Sequence, residues 1–144
     1  MNEVLVIIPT YNESENIIKI TKSIFAIHQD INILVVDDNS PDGTSSKVKE
    51  VISKFKGKLH LITRESKLGL GTAYLCGFKW AFKKNYKYII SMDADFSHNP
   101  SDLIRLYASC KNEEYDICIG SRYVKGINVV NWPLQRIMLS YFAS

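Results

Sequence analysis

With 144 residues, 46% of them hydrophobic and 23% charged, the chain has the length of one domain and an ordinary globular composition. Its net charge of +3 is mild, and Lys83-Lys84 is the only adjacent basic pair. No nucleic-acid partner is therefore expected, while weak attraction to anionic phosphates or membranes is allowed. Cys76, Cys110 and Cys118 lack Cys-x-x-Cys spacing, and His28, His60 and His98 lie far apart, so zinc is not expected and the thiols read as buried, reduced and cytosolic. The start, Met1-Asn2-Glu3 followed directly by a strand-like run, is unlike a signal peptide. No stretch reaches the roughly 18–20 apolar residues that span a bilayer.

The elements alternate. Val4-Leu5-Val6-Ile7-Ile8 is β-branched and apolar, stopped by Pro9, and reads as a buried strand. Ile17, Ile20, Ile24 and Ile27 mark a helix within 14–27, with Asn12 and Glu15 at capping-box spacing. Ile33-Leu34-Val35-Val36 is a second strand, closed by the turn-rich run from Asp37 to Gly43. Val48, Val51, Ile52 and Phe55 mark a second helix, and 59–63 a third strand. Gly69 and Gly71 open a helix to about Lys84, with Tyr74, Gly77, Phe78, Ala81 and Phe82 on its inner face. Tyr88 to Met92 is a fourth strand, 101–110 a helix, and Ile117-Cys118-Ile119-Gly120 a fifth strand. Such alternation predicts a mostly parallel α/β sheet with helices on both faces. Leu134 to Phe142 reads as an apolar helix in which the chain stops. The expectation is a single domain, 1–144, whose C-terminal part is missing, or a tail that packs on a partner or a membrane.

Polar residues follow every strand, and in a parallel sheet those ends share one rim, where open α/β sheets bind ligands. Asp93-Ala94-Asp95 sets two carboxylates one residue apart at a strand end, a hard-cation site that leaves room for phosphate oxygens. Tyr11 can stack on a base or ribose, Glu13 or Asp38 can accept from base N–H or ribose hydroxyls, and Arg122 offers a planar fork for phosphate. Gly69 and Gly71 permit close backbone approach at a helix start. The same residues admit plainer readings: Asp37-Asp38-Asn39 as a turn and cap, Tyr11 as core, Arg122 as a structural ion-pair partner. His98 lies close enough to the acidic pair to be near substrate. Trp80 and Trp132 read as packing residues. A Gly-x-Gly-x-x-Gly after the first strand, a P-loop and a Gly-x-Ser-x-Gly elbow are all lacking.

Five blocks in order, Ile8-Pro9-Thr10-Tyr11-Asn12-Glu13, Val36 to Thr44, Lys67 to Tyr74, Met92 to His98 and Gly120-Ser121-Arg122-Tyr123, resemble glycosyltransferase family two, most closely its polyprenyl-phosphate (dolichol-phosphate) mannosyltransferase branch. The resemblance implies the GT-A fold, a Rossmann-like sheet, and transfer of mannose with inversion from GDP-mannose to dolichyl or another polyprenyl phosphate. It places Pro9, Tyr11, Glu13, Val36 and Asp38 at the guanosine, and Asp93, Ala94 and Asp95 at the diphosphate. Mg²⁺ or Mn²⁺ would sit on Asp93 and Asp95. Arg122 and Arg136 would face the diphosphate or the acceptor phosphate, and with Asp95 form the catalytic set. Ser97 stands where many relatives carry Gln. The expected setting is cytoplasmic, peripheral on the cytosolic face of a membrane, with possible self-association through the C-terminal tail. A UDP-glucose-type donor with a lipid phosphate or glycan acceptor, and a non-catalytic nucleotide-binding or assembly module, are the alternatives.

Overall fold

The computed structural model describes residues 3–121 and 133–142. The elements run β1 (Val4–Thr10), α1 (Ile17–Ile27), β2 (Asn32–Asp37), α2 (Thr44–Val51) with a 3-10 turn at Ile52–Phe55, β3 (Leu59–Thr63), α3 (Leu70–Lys83), β4 (Tyr88–Ser91), α4 (Asp102–Asn112) and α5 (Leu134–Phe142). The strands form one sheet in the order β3-β2-β1-β4, with every pairing parallel.

Both faces of the sheet are covered, which explains why β1 and β2 are apolar throughout rather than alternating. The period of two along β1 sorts the core. Val4, Val6 and Ile8 pack with Ile17, Ile20 and Ile24 of α1, Val48 of α2 and Leu103 of α4. Leu5 and Ile7 face the other way, onto Ala73 and Ala81 of α3. Helix α3 comes unusually close. A Cβ added at Gly77 would lie 2.7 Å from Ile7 Cγ2 and 2.9 Å from its Cδ1. Glycine is thus the residue that lets this helix seat on β1.

Three expectations are corrected. Helix α1 begins at Ile17, and Asn12 has a left-handed φ of 61°, so Asn12 and Glu15 form no capping box. Phe82 is 68% exposed rather than on the inner face of α3, where Ala73, Gly77 and Ala81 lie. Ile117-Cys118-Ile119-Gly120 is not a strand. Ile117 and Ile119 are exposed and make no ladder, while the outer edge of β4 borders a cavity of about 1540 Å³ that this segment also lines. A β-branched run supplies propensity, but a strand requires a hydrogen-bonded neighbour. The three cysteines are unpaired and partly buried.

Candidate functional site

The chain winds outward from β1 through β2 to β3, then returns to place β4 on the other side of β1. The carboxyl ends of β1 and β4 therefore flank the switch point of an open parallel sheet, the usual ligand crevice of such folds. The rim is stitched together by the backbone. Met92 N–H donates to Ile7 O at 3.1 Å, Asp38 N–H to Thr10 O at 3.0 Å and Arg64 N–H to Asp37 O at 2.8 Å.

Much of the acidic loop after β2 is scaffold. Asp37 is fully buried and accepts from Thr10 Oγ1, Ser45 Oγ and both the N–H and Oγ of Ser40. Three successive backbone N–H groups of the β1–α1 loop are then captured by the β2–α2 loop. Asn12 donates to Ser40 Oγ at 3.0 Å, Glu13 to Thr44 Oγ1 at 3.0 Å and Ser14 to Asp42 Oδ2 at 2.9 Å. Burial works to raise the Asp42 pKa, but the hydrogen bonds from Thr44 and Ser14 outweigh it and bring the carboxyl down to about 2. The side chains of Ser40, Asp42 and Thr44 thereby fix the backbone that carries Tyr11 and Glu13 onto the rim.

Asp38 is held differently. Its carboxylate pairs with the Arg64 guanidinium, both side chains being nearly buried, and its Oδ2 also accepts from Leu68 N–H at 3.2 Å. Arg64 reaches on to Thr72 Oγ1 at 2.7 Å and Gly69 O at 3.1 Å. Gly69 has φ 94° and ψ 157°, a conformation that favours glycine. One buried ion pair thus ties the ends of β2 and β3 to the loop that opens α3. Lys67, on that loop, lies with its Nζ 4.1 Å from the centroid of the Tyr11 ring, a cation–π contact. Tyr11 is partly exposed, not core.

Beyond β4, Ala94 is buried in the core beside Met92, while the carboxylates on either side of it reach solvent. Asp93 accepts from the Tyr74 hydroxyl at 3.2 Å, and burial, reinforced by that carboxylate, pushes the Tyr74 pKa up. Asp93 N–H donates to His98 Nδ1 at 3.2 Å, and His98 Nε2 stands 4.0 Å from Asp93 Oδ2. With Nδ1 accepting, a neutral His98 carries its proton on Nε2, facing the carboxylate. Asp95 Oδ1 accepts from Ser97 N–H at 2.9 Å. Partial burial works to raise the Asp95 pKa, but the Ser97 hydrogen bonds outweigh it and hold the carboxyl below its usual value.

Residues 5–143 match glycosyl transferase family 2. The chain belongs to that family. It is 46% identical over 140 residues to the polyprenol monophosphomannose synthase of Mycolicibacterium smegmatis, spanning 97% of this chain and 52% of that protein. It is 44% identical over 140 residues to the dolichol-phosphate mannosyltransferase of Pyrococcus furiosus, spanning 96% of this chain and 38% of that protein. The chain thus spans about half, or less, of the length of these curated relatives. Among solved structures, the mannosyltransferase PcManGT from Pyrobaculum calidifontis, in complex with GDP-Man and Mn²⁺, is 29% identical with a TM-score of 0.51 over 55% of this chain and 24% of that one. TarS from S. aureus, 24% identical, has a TM-score of 0.68 over 92% of this chain and 23% of that one, a likeness in fold. The fold is GT-A.

In this family 2 domain the structure brings Pro9, Tyr11, Glu13, Asp38, Asp93, Ala94 and Asp95 to one rim, with the Val36 side chain packed in the core beneath it. Arg122 lies outside the described residues, as does the side chain of Arg136 on α5. Among the described residues no three His, Cys, Asp or Glu side chains gather as a metal cluster. The donor set at Asp93 and Asp95 nonetheless fits Mg²⁺ or Mn²⁺, because such hard cations take one or two carboxylates and complete their shell with water and phosphate oxygens. The sequence reading missed the roles of Arg64 and Tyr74. The signal for Arg64 lay in the strand register, since Asp37 pairs with Thr63 and the next residue of each strand then lies alongside its neighbour.

Proposed function

We propose that this domain binds GDP-mannose across the carboxyl ends of β1, β2 and β4, with a divalent cation on Asp93 and Asp95, and passes mannose with inversion to a polyprenyl phosphate. One observation carries the reading: two accessible carboxylates flank a buried Ala94 at the sheet's switch point. The names of the relatives supply the substrate classes, and the neighbour carrying GDP-Man and Mn²⁺ supports the donor and the metal.

Asp93 and Asp95 would hold the cation, with Tyr74 fixing the orientation of Asp93. When bound, the cation would offset the charge that develops on the departing diphosphate. Tyr11 and Glu13 would meet the nucleoside, and Lys67 is close enough to Tyr11 to serve the same ligand. Asp38 would shape this pocket together with Arg64, as well as accepting from the nucleoside. In the proposed set Arg122 and Arg136 face phosphates. A phosphate monoester is already anionic near neutral pH, so the acceptor needs little help from a general base, and the task of the site is to align two anions.

Among the described residues no helix is long and apolar enough to cross a membrane. In this reading the domain meets the lipid-borne acceptor peripherally, from the cytosolic face. Leu134, Met138 and Leu139, all exposed on α5, support a tail that meets the membrane or a second copy.

The test is transfer of radiolabelled sugar into organic-extractable lipid, with a polyprenyl phosphate in detergent as acceptor. Label should pass from GDP-mannose, stop on chelation of divalent ions, and pass at least tenfold more slowly from UDP-glucose, the donor of the alternative reading. Faster transfer from UDP-glucose would replace the donor assignment, and no transfer from either donor would remove the activity.

A further inference from the structure

Helix α3 has two faces. Ala73, Gly77 and Ala81 are buried against the sheet. Leu75, Lys79, Phe82 and Lys83, spaced at four, seven and eight residues, share the opposite side, and all four are exposed. Leu75 is 57% and Phe82 68% exposed. From Lys67 to Lys87 the chain carries five lysines and no acidic residue.

We infer that this face of α3 is a docking surface for an anionic lipid bilayer. Large apolar side chains interleaved with lysines on one face of a helix too short to span are what an interfacial helix presents to a membrane. The charge pattern selects the occupant. A symmetric dimer through this face would set Lys79 and Lys83 of each copy against the same lysines of the other, and like charges at such an interface are repulsive. An anionic lipid surface is complementary instead. The position also has a consequence for the site. Leu68 N–H is bonded to Asp38, and Arg64 holds Gly69, so the loop that opens α3 is anchored to the rim that carries Tyr11 and Asp38. Bilayer contact along α3 would therefore tether that rim to the membrane. This suits the lipid-borne acceptor proposed above, although vesicle binding is a property of the surface and does not need transfer to occur.

Sedimentation of the full chain with vesicles tests the inference, comparing phosphatidylcholine alone with phosphatidylcholine mixed with phosphatidylglycerol. The wild type should pellet with the anionic vesicles, less so as salt is raised. Leu75→Ser/Phe82→Ser should weaken partitioning by roughly tenfold or more through loss of inserted apolar surface. Lys79→Gln/Lys83→Gln should weaken it roughly fivefold for each charge removed, and only on anionic vesicles. Both pairs are exposed, and unchanged thermal unfolding would confirm that the variants fold. The proposal is overturned if the wild type ignores anionic vesicles, or if both variants sediment as the wild type does. It is also overturned if the wild type is a dimer that Leu75→Ser/Phe82→Ser dissociates without any effect on vesicles. A GDP titration run alongside keeps the donor reading separate, because vesicle binding without GDP binding would sink that reading and leave this one standing.

Discussion

Arg64 contacts Asp38, Thr72 and Gly69 from a nearly buried position, and among the described residues Asp38 is the one carboxylate that matches its charge. A buried ion pair adds little net stability over apolar neighbours, but removing one partner strands the other charge, at about 3–5 kcal/mol. Arg64→Gln should therefore destabilise the fold by about 3 kcal/mol or more. Arg64→Met/Asp38→Leu should lose clearly less than the sum of the two single changes. Urea unfolding of the four proteins measures the coupling, and simple additivity would mean that the two groups do not depend on each other. The sequence showed Asp38 as a candidate because it stands in a recognisable motif. Arg64 stood out only as one of the polar residues after the third strand, and its pairing with Asp38 was hidden until its neighbour across the sheet was known. The same limit applies to Asp37 and Asp42. Their identities were legible, but whether each carboxylate faces a ligand or backbone N–H groups depends on how two loops meet.

At the scale of elements, the legible parts were those whose pattern is local. The 59–63 strand has the expected bounds, and helix α3 ends within a residue of the expected limit. The sheet is parallel with helices on both faces, as the alternation implied. What failed depends on partners: Ile117 to Gly120 has strand propensity and no ladder, and Phe82 has core chemistry at a helical position that faces solvent. Gly77 is the case where one residue sets how two elements pack. A side chain there gains helix propensity worth less than about 1 kcal/mol, but it must displace fully buried Ile7, and overpacking of that kind costs about 1–3 kcal/mol. Gly77→Val should lower stability by about 2 kcal/mol or more, read as a fall in the urea midpoint with little change in slope. An unchanged midpoint would show that α3 does not sit this close to β1.

At the scale of the molecule, among the described residues, four parallel strands deliver their polar ends to one edge, and two interlocked loops and the Arg64–Asp38 ion pair hold that edge in shape. Buried Asp37 and the nearly buried Arg64 hold the scaffold, and the accessible chemistry gathers at Tyr11, Lys67, Asp93 and Asp95. Family 2 membership was legible from the order of the motifs, whereas which polar residues of the rim are accessible follows from how the loops meet. The central claim is that Asp93 and Asp95 bind a nucleoside diphosphate through a divalent cation. Calorimetric titration of GDP into the wild type and Asp95→Asn, each with and without Mn²⁺, tests it most directly. The account predicts Mn²⁺-dependent binding by the wild type and a loss of about tenfold or more in Asp95→Asn, with unfolding unchanged because the carboxylate is exposed. Equal GDP affinity in the two proteins, or binding by the wild type that ignores Mn²⁺, would contradict it.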